Sequence, residues 1–255
     1  MELNFKTFGQ GPPLVILHGL FGTLDNWQTL AKRWATDYTV VLVDQRNHGR
    51  SPHLPVHDYP RMAEDLKAFL DRNWMYKVHL LGHSMGGKTA MQFALQHPEM
   101  VEKLVVVDIT PKAYTGGHEV ILEALRTLPI DEVTDRKMAD AFLAQNIAEV
   151  GIRQFLLKNL MREKTGGYRW KMNLPVLLEY YPAILANIDS EETFDEPTLF
   201  IRGARSHYVQ DSDWSGVLAY FPTAQLATVA AAGHWVHAEQ PGKLFDLVAA
   251  FLAES

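Results

Sequence analysis

Apolar residues along this chain fall into two kinds of pattern. Short uninterrupted runs recur through the first half: Leu14-Val15-Ile16-Leu17, Val40-Val41-Leu42-Val43, Val78-His79-Leu80-Leu81 and Leu104-Val105-Val106-Val107. Each is Leu-rich or β-branched and stops at a Gly, Asp or His. Such continuous apolar runs suit strands buried on both faces, as in a parallel sheet. Between them the spacing becomes helical, over Trp27–Trp34, Met62–Arg72 and Gly87–His97. The alternation predicts βαβ units with right-handed crossovers.

The rhythm changes after Thr110-Pro111. From His118 to Ile188 the pattern shows no strand and predicts amphipathic helices over roughly 118–128, 135–149, 151–162 and 174–187, with Pro129 and Gly166-Gly167 as breaks. Strands resume with Thr198-Leu199-Phe200-Ile201 and Gln225-Leu226-Ala227-Thr228-Val229, and a last helix runs from about Pro241 to Leu252. The expected organisation is one α/β core, 1–110 and 195–255, interrupted by a helical cap, 111–194. In open α/β sheets ligands bind beyond the carboxyl ends of the strands. His18, Asp44, Ser84 and Asp108 fall at those ends, and the insertion follows the Asp108 strand, so it is expected over the same edge.

Composition narrows the classes. Of 255 residues, 47% are hydrophobic and 21% charged, ordinary for a globular chain and unlike a disordered one. The net charge of −6 argues against a nucleic-acid surface. The absence of cysteine removes disulfides, thiolate nucleophiles and cysteine-bound metals. The N-terminal residues carry no basic start followed by an apolar run, and no stretch approaches the roughly 20 apolar residues of a membrane helix. A cytoplasmic location with no membrane partner is the expectation.

The sharpest chemical signal is Gly82-His83-Ser84-Met85-Gly86, placed after a strand and before a helix. In G-x-S-x-G the serine occupies a strained turn, and side chains at the flanking glycines would collide. The turn lifts the hydroxyl above the sheet and sets the Met85 N–H at a helix N-terminus, where it can hold an oxyanion. The same stretch, Gly82 through Thr89, also reads G-x-x-x-x-G-K-T, the phosphate-binding loop of an ATPase. The two readings exclude each other, one needing a tight elbow and the other a wide loop. His18-Gly19-Leu20-Phe21-Gly22 favours the elbow, because a second oxyanion donor, from the N–H of Leu20 or of Phe21, belongs in such a post-strand loop. Ala232-Gly233-His234-Trp235 follows the last apolar strand, where a histidine base is expected after the serine in chain order.

These residues resemble the α/β-hydrolase superfamily over nearly the whole chain. The resemblance rests on His18-Gly19, Asp44-x-Arg46-x-x-Gly49-x-Ser51, Gly82-x-Ser84-x-Gly86 and Gly233-His234, in that order. It is strongest to small capped bacterial esterases, some of which cleave acyl esters and acyl-CoA thioesters. The resemblance implies a mostly parallel sheet with helices on both faces, a Ser84 nucleophile, a His234 base, and no cofactor or metal. It also implies a small-molecule ester or thioester as the partner. Serine at the elbow argues against dehalogenase and epoxide-hydrolase chemistry. C–C hydrolysis, perhydrolysis and a low-turnover ligand receptor keep the same three residues and stay open.

The acid departs from the commonest superfamily pattern. Many members carry it after the strand written here Leu199-Phe200-Ile201-Arg202-Gly203, yet this chain has Ser206 at that place, with Asp211 and Asp213 a few residues late. Some branches carry the acid where Asp108 stands, and Asp108 is the assignment, with Asp211 and Asp213 as alternatives. His237 is the rival base and, with His234 and Glu239, a rival metal set. Asp44, Arg46 and Ser51 read as a structural ion pair and turn bonds. His18, His48, His79 and His83 read as core or turn histidines. Lys88 is expected to face solvent or a carboxylate. Phe21 and Trp235 are candidate pocket walls, and Tyr114, Phe142, Phe155, Tyr180 and Tyr181 are candidate channel aromatics in the cap.

Overall fold

The computed structural model describes residues 2–254. Its strands are β1 (Phe5–Phe8), β2 (Pro13–Leu17), β3 (Thr39–Val43), β4 (Val78–His83), β5 (Val101–Val107), β6 (Leu160–Arg162), β7 (Tyr168–Trp170), β8 (Thr198–Gly203) and β9 (Gln225–Val229). The apolar runs form the parallel part of a seven-stranded sheet of order β1-β3-β2-β4-β5-β8-β9. Only β1 runs antiparallel, pairing Phe5 with Val43 at the edge. Three of its four residues are exposed, so it carries no apolar run to announce it.

Helices cover both faces, which is why the central strands carry uninterrupted apolar runs such as Leu14–Leu17, Val40–Val43 and Leu104–Val107. Val15 and Leu17 pack into one cluster with Met62 and Leu66 of α2 (Tyr59–Arg72) and Ala90 and Phe93 of α3 (Met85–Gln96). Leu14 and Ile16 point the other way, onto Leu30 and Trp34 of α1 (Gln28–Trp34) and onto Leu244 and Val248 of the C-terminal helix (Pro241–Ala253). Each such buried aliphatic side chain contributes about 1.5–3 kcal/mol over an exposed one. No helix among the described residues is long and apolar enough to cross a membrane.

Between β5 and β8 the chain leaves the sheet through α4 (Glu119–Thr127), α5 (Arg136–Leu143), α6 (Val150–Leu157), α7 (Leu174–Glu179) and α8 (Tyr181–Leu185). Several expectations fail here: a segment expected to hold no strand forms the β6–β7 hairpin, and the helix expected over 135–149 stops at Leu143. The helix expected over 151–162 ends at Leu157, and the break expected at Gly166-Gly167 is the turn of the β6–β7 hairpin. Both glycines hold positive φ, 96° and 82°, and each strand has three residues, too few to show a period of two. The helix expected over 174–187 splits at Tyr180, because Pro182 has no N–H to continue the ladder.

The ends of this segment lie side by side. Tyr114 N–H donates to Leu185 O at 2.9 Å, and Ile188 N–H to Pro111 O at 2.7 Å. Lys88 clasps that stem from below. Its side chain is 1% exposed and faces neither solvent nor a carboxylate; Nζ donates to the carbonyls of Lys112 (2.7 Å) and Ala186. Burial pulls this amine down to about 7.

Candidate active site

β4 ends at His83 and α3 begins at Met85, leaving Ser84 alone between them at φ 55°, ψ −121°. A serine holds this sparsely populated conformation only where its surroundings fix it. The flanking glycines allow the close approach: a methyl on Gly82 would stand 2.5 Å from the Gly86 carbonyl carbon, and one on Gly86 2.5 Å from the His18 carbonyl oxygen. A phosphate-cradling loop has no room. Gly86 through Thr89 lie inside α3, and Lys88 points to the stem instead.

Two other strand ends converge on Ser84. His234 follows β9, and its Nε2 lies 2.9 Å from Ser84 Oγ. Its Nδ1 lies 2.7 Å from Asp108 Oδ2. Asp108 closes β5 at φ 55° with a fully buried side chain, and its Oδ1 accepts the Gly203 N–H at 3.0 Å. The Ser206 hydroxyl, from the loop after β8, donates to Asp108 Oδ2. The alternative aspartates go elsewhere: Asp211 pairs with Arg202 at 2.7 Å, and Asp213 with Lys112 at 2.6 Å. His237 stacks on Trp27 with centroids 4.7 Å apart, and burial depresses it to about 3. Glu239 binds Arg205 and the Gly233 N–H, and no group of three metal-ligating side chains forms among the described residues.

The loop after β2 supplies backbone donors. Phe21 N–H is already engaged, by His48 Nε2 at 3.2 Å. The N–H groups of Leu20 and Met85 meet no acceptor among the described residues. They flank Ser84 from two elements, the β2 loop and the start of α3. The other histidines of the region are structural. His18 receives the Gln45 N–H on Nε2 at 3.1 Å, and His83 Nε2 donates to the His234 carbonyl at 2.9 Å. Burial holds both below the ordinary imidazole range.

A cleft opens at Ser84, walled by Leu20, Phe21, Ile121, Ile152, Phe155 and Trp235. Phe155 and Trp235 form one side, ring centroids 5.7 Å apart. Of the five aromatics expected between β5 and β8, only Phe155 reaches this cleft. Tyr114 hydrogen-bonds Thr110 and the Tyr208 carbonyl, Tyr181 bonds His118, and Phe142 lines a separate surface groove. Two neighbours of the site carry no motif. Tyr208 stacks on the His234 ring at 4.0 Å, and His118 lines the mouth, pushed to about 4 by burial. Asp44, Arg46 and Ser51 lie outside the cleft. Arg46 forks onto Asp65 at 2.5 and 2.7 Å, and Asp44 accepts from Leu24 N (2.8 Å), Arg50 N (2.9 Å) and Asn4 Nδ2 (2.6 Å).

The family model of the α/β-hydrolase fold matches residues 12–241. The chain belongs to the α/β-hydrolase family. It is 44% identical over 250 residues to a mouse sn-1-specific diacylglycerol lipase, ABHD11, covering 95% of this chain and 81% of the relative. It is 39% identical to the esterase YbfF of Escherichia coli K12, over 94% of this chain and 92% of that one. Among solved structures, a marine microorganism esterase superposes with a TM-score of 0.97 at 41% identity, covering 98% of this chain and 99% of the other.

Proposed function

We propose that this protein is a serine hydrolase that cleaves carboxylic esters of small to medium acyl groups through an acyl-enzyme on Ser84. The observation that carries the reading is the continuous line Asp108 Oδ2, His234 Nδ1, His234 Nε2, Ser84 Oγ at 2.7 and 2.9 Å. Names of relatives, an esterase and a diacylglycerol lipase, support the same bond type.

In the first step Ser84 Oγ attacks the acyl carbonyl while His234 Nε2 takes its proton. Asp108 fixes the tautomer with the proton on Nδ1 and stabilises the imidazolium. The tetrahedral oxyanion falls to the unengaged N–H groups of Leu20 and Met85, fixed donors that need no reorganisation. Collapse breaks the acyl–oxygen bond, and His234 protonates the leaving alcohol. Water, deprotonated by the same imidazole, then hydrolyses the acyl-enzyme and restores Ser84. A thioester meets the same nucleophile and the same hole. The apolar walls Phe155, Trp235 and Phe21 receive the acyl chain, and the segment 111–194 acts as the cap that supplies Phe155, Ile121 and Ile152.

The test is intact-mass analysis after treatment with a fluorophosphonate. An adduct on the wild type and none on Ser84→Ala supports the reading. Equal labelling of both, or none on either, overturns it.

A further inference from the structure

The residue after Leu20 is held from both sides. Phe21 sits at φ 60°, the left-handed region that L-residues seldom adopt. Its N–H is received by His48 Nε2 at 3.2 Å, and its carbonyl accepts Asn159 Nδ2 at 2.6 Å. His48 belongs to the core: its Nδ1–H donates to the Arg46 carbonyl at 3.0 Å, which turns the Nε2 lone pair toward Phe21. Asn159 comes from the segment between β5 and β8, 138 positions along the chain. It is fully buried and locked between α6 and β6, its N–H on Leu156 O at 3.0 Å and its carbonyl on Lys171 N–H at 2.8 Å. The hairpin β6–β7 therefore has a task, since Lys171 follows its second strand.

Asn159 Oδ1 is buried without a hydrogen-bond partner among the described residues. Buried side-chain polar atoms are seldom left this way. Here the fold tolerates an orphaned oxygen and keeps one N–H on a strained loop carbonyl. The Phe21–Gly22 peptide held this way and the Leu20–Phe21 peptide held by His48 follow directly on the one that carries the Leu20 N–H, so the two anchors together fix its exit from the loop.

We propose that Asn159 is a positioning residue for the oxyanion hole: through the Phe21 carbonyl, the segment between β5 and β8 sets the direction of the Leu20 N–H. The hole is complete only while that segment is seated on the loop. Asn159 does not line the cleft and touches no substrate. The inference rests on the acyl-enzyme reading above.

Asn159→Leu removes the donor while filling the space, and Asn159→Asp keeps the shape but turns an acceptor toward the carbonyl. With a chromogenic butyrate ester, both lower kcat about 10- to 100-fold, because a misdirected oxyanion donor is lost mainly to the transition state. KM stays within about threefold, and the pH profile of kcat/KM keeps its shape, since no triad proton is touched. Affinity for a trifluoromethyl ketone, which forms the tetrahedral oxyanion, weakens by the same factor as kcat. Retention of kcat within about threefold in either variant overturns the proposal. So does a loss carried by KM, or failure of both variants to fold, which would make Asn159 a stability residue. The wild type is labelled with the fluorophosphonate in parallel. No adduct there sinks the hydrolase reading itself, whereas a labelled wild type beside a fully active Asn159→Leu sinks only this inference.

Discussion

Replacing Asp108 by Asn tests the triad where its geometry leaves least freedom. The carboxylate is fully buried and receives three donors: Gly203 N–H on Oδ1, and the Ser206 hydroxyl and His234 Nδ1–H on Oδ2. An asparagine has one oxygen for these places. If that oxygen stays on Gly203, the NH2 faces His234 Nδ1 across 2.7 Å. Nδ1 must then accept, the ring proton moves to Nε2, and Nε2 can no longer take the proton of Ser84 Oγ 2.9 Å away. If the oxygen turns to His234 instead, NH2 meets the Gly203 N–H, donor to donor. That leaves a buried group unsatisfied at a cost of about 1–3 kcal/mol. Both arrangements also lose the charge that stabilises the imidazolium. The fall in kcat/KM for a chromogenic ester is about 10⁴-fold, close to 5.5 kcal/mol of transition-state stabilisation. Asp213→Asn, which breaks only the Lys112 pair, leaves kcat/KM within about twofold. Thermal unfolding of both variants separates lost folding from lost chemistry. Activity of Asp108→Asn within about tenfold of the wild type, or loss in Asp213→Asn instead, refutes the acid assignment.

Other outcomes follow from packing and burial. Gly86→Ala forces a methyl onto the His18 carbonyl and lowers stability by about 2–4 kcal/mol in urea unfolding; an unchanged midpoint contradicts the close approach at the elbow. Burial holds His57 at about 3 in the fold, so the unfolded chain binds a proton that the fold refuses once pH drops below about 6.5. Stability present at pH 7 is therefore lost on acidification, by about 2 kcal/mol from this residue at pH 5, and equal urea midpoints at pH 7 and 5 would refute it. Lys88 has the same sign in a higher pH window. With its folded value near 7 and an unfolded value near 10.4, the fold binds fewer protons between them, so its contribution rises with pH. The wild type gains about 2 kcal/mol on Lys88→Met from pH 7 to 9, and a constant difference refutes the burial effect. Phe155→Ala opens the wall beside Trp235 and raises the kcat/KM ratio of an octanoate over a butyrate ester; an unchanged ratio would place the acyl chain elsewhere.

Read alone, the sequence determined the parallel sheet, the switch in rhythm near Thr110, and the order of serine before histidine along the chain. Those features are local: uninterrupted apolar runs report burial on both faces, and the glycines around Ser84 report one tight turn. Segments with no local signal stayed hidden. β1 is mostly exposed, the β6–β7 strands are three residues each, and Lys88 looks on paper like any charge on a helix. Only the tertiary structure decided which donors and acids meet. Asp108, Asp211 and Asp213 are equal as letters, and it took the convergence of β5, β8 and β9 to set Asp108 between Ser206 and His234 and send the other two to Arg202 and Lys112. Leu20 and Phe21 are likewise adjacent donors in one loop. His48 and Asn159, one close in sequence and one 138 positions away, take both backbone groups of Phe21 and leave the Leu20 N–H free. Such contacts depend on where distant segments are brought together by burial of the sheet, and no pattern within a dozen residues encodes that distance.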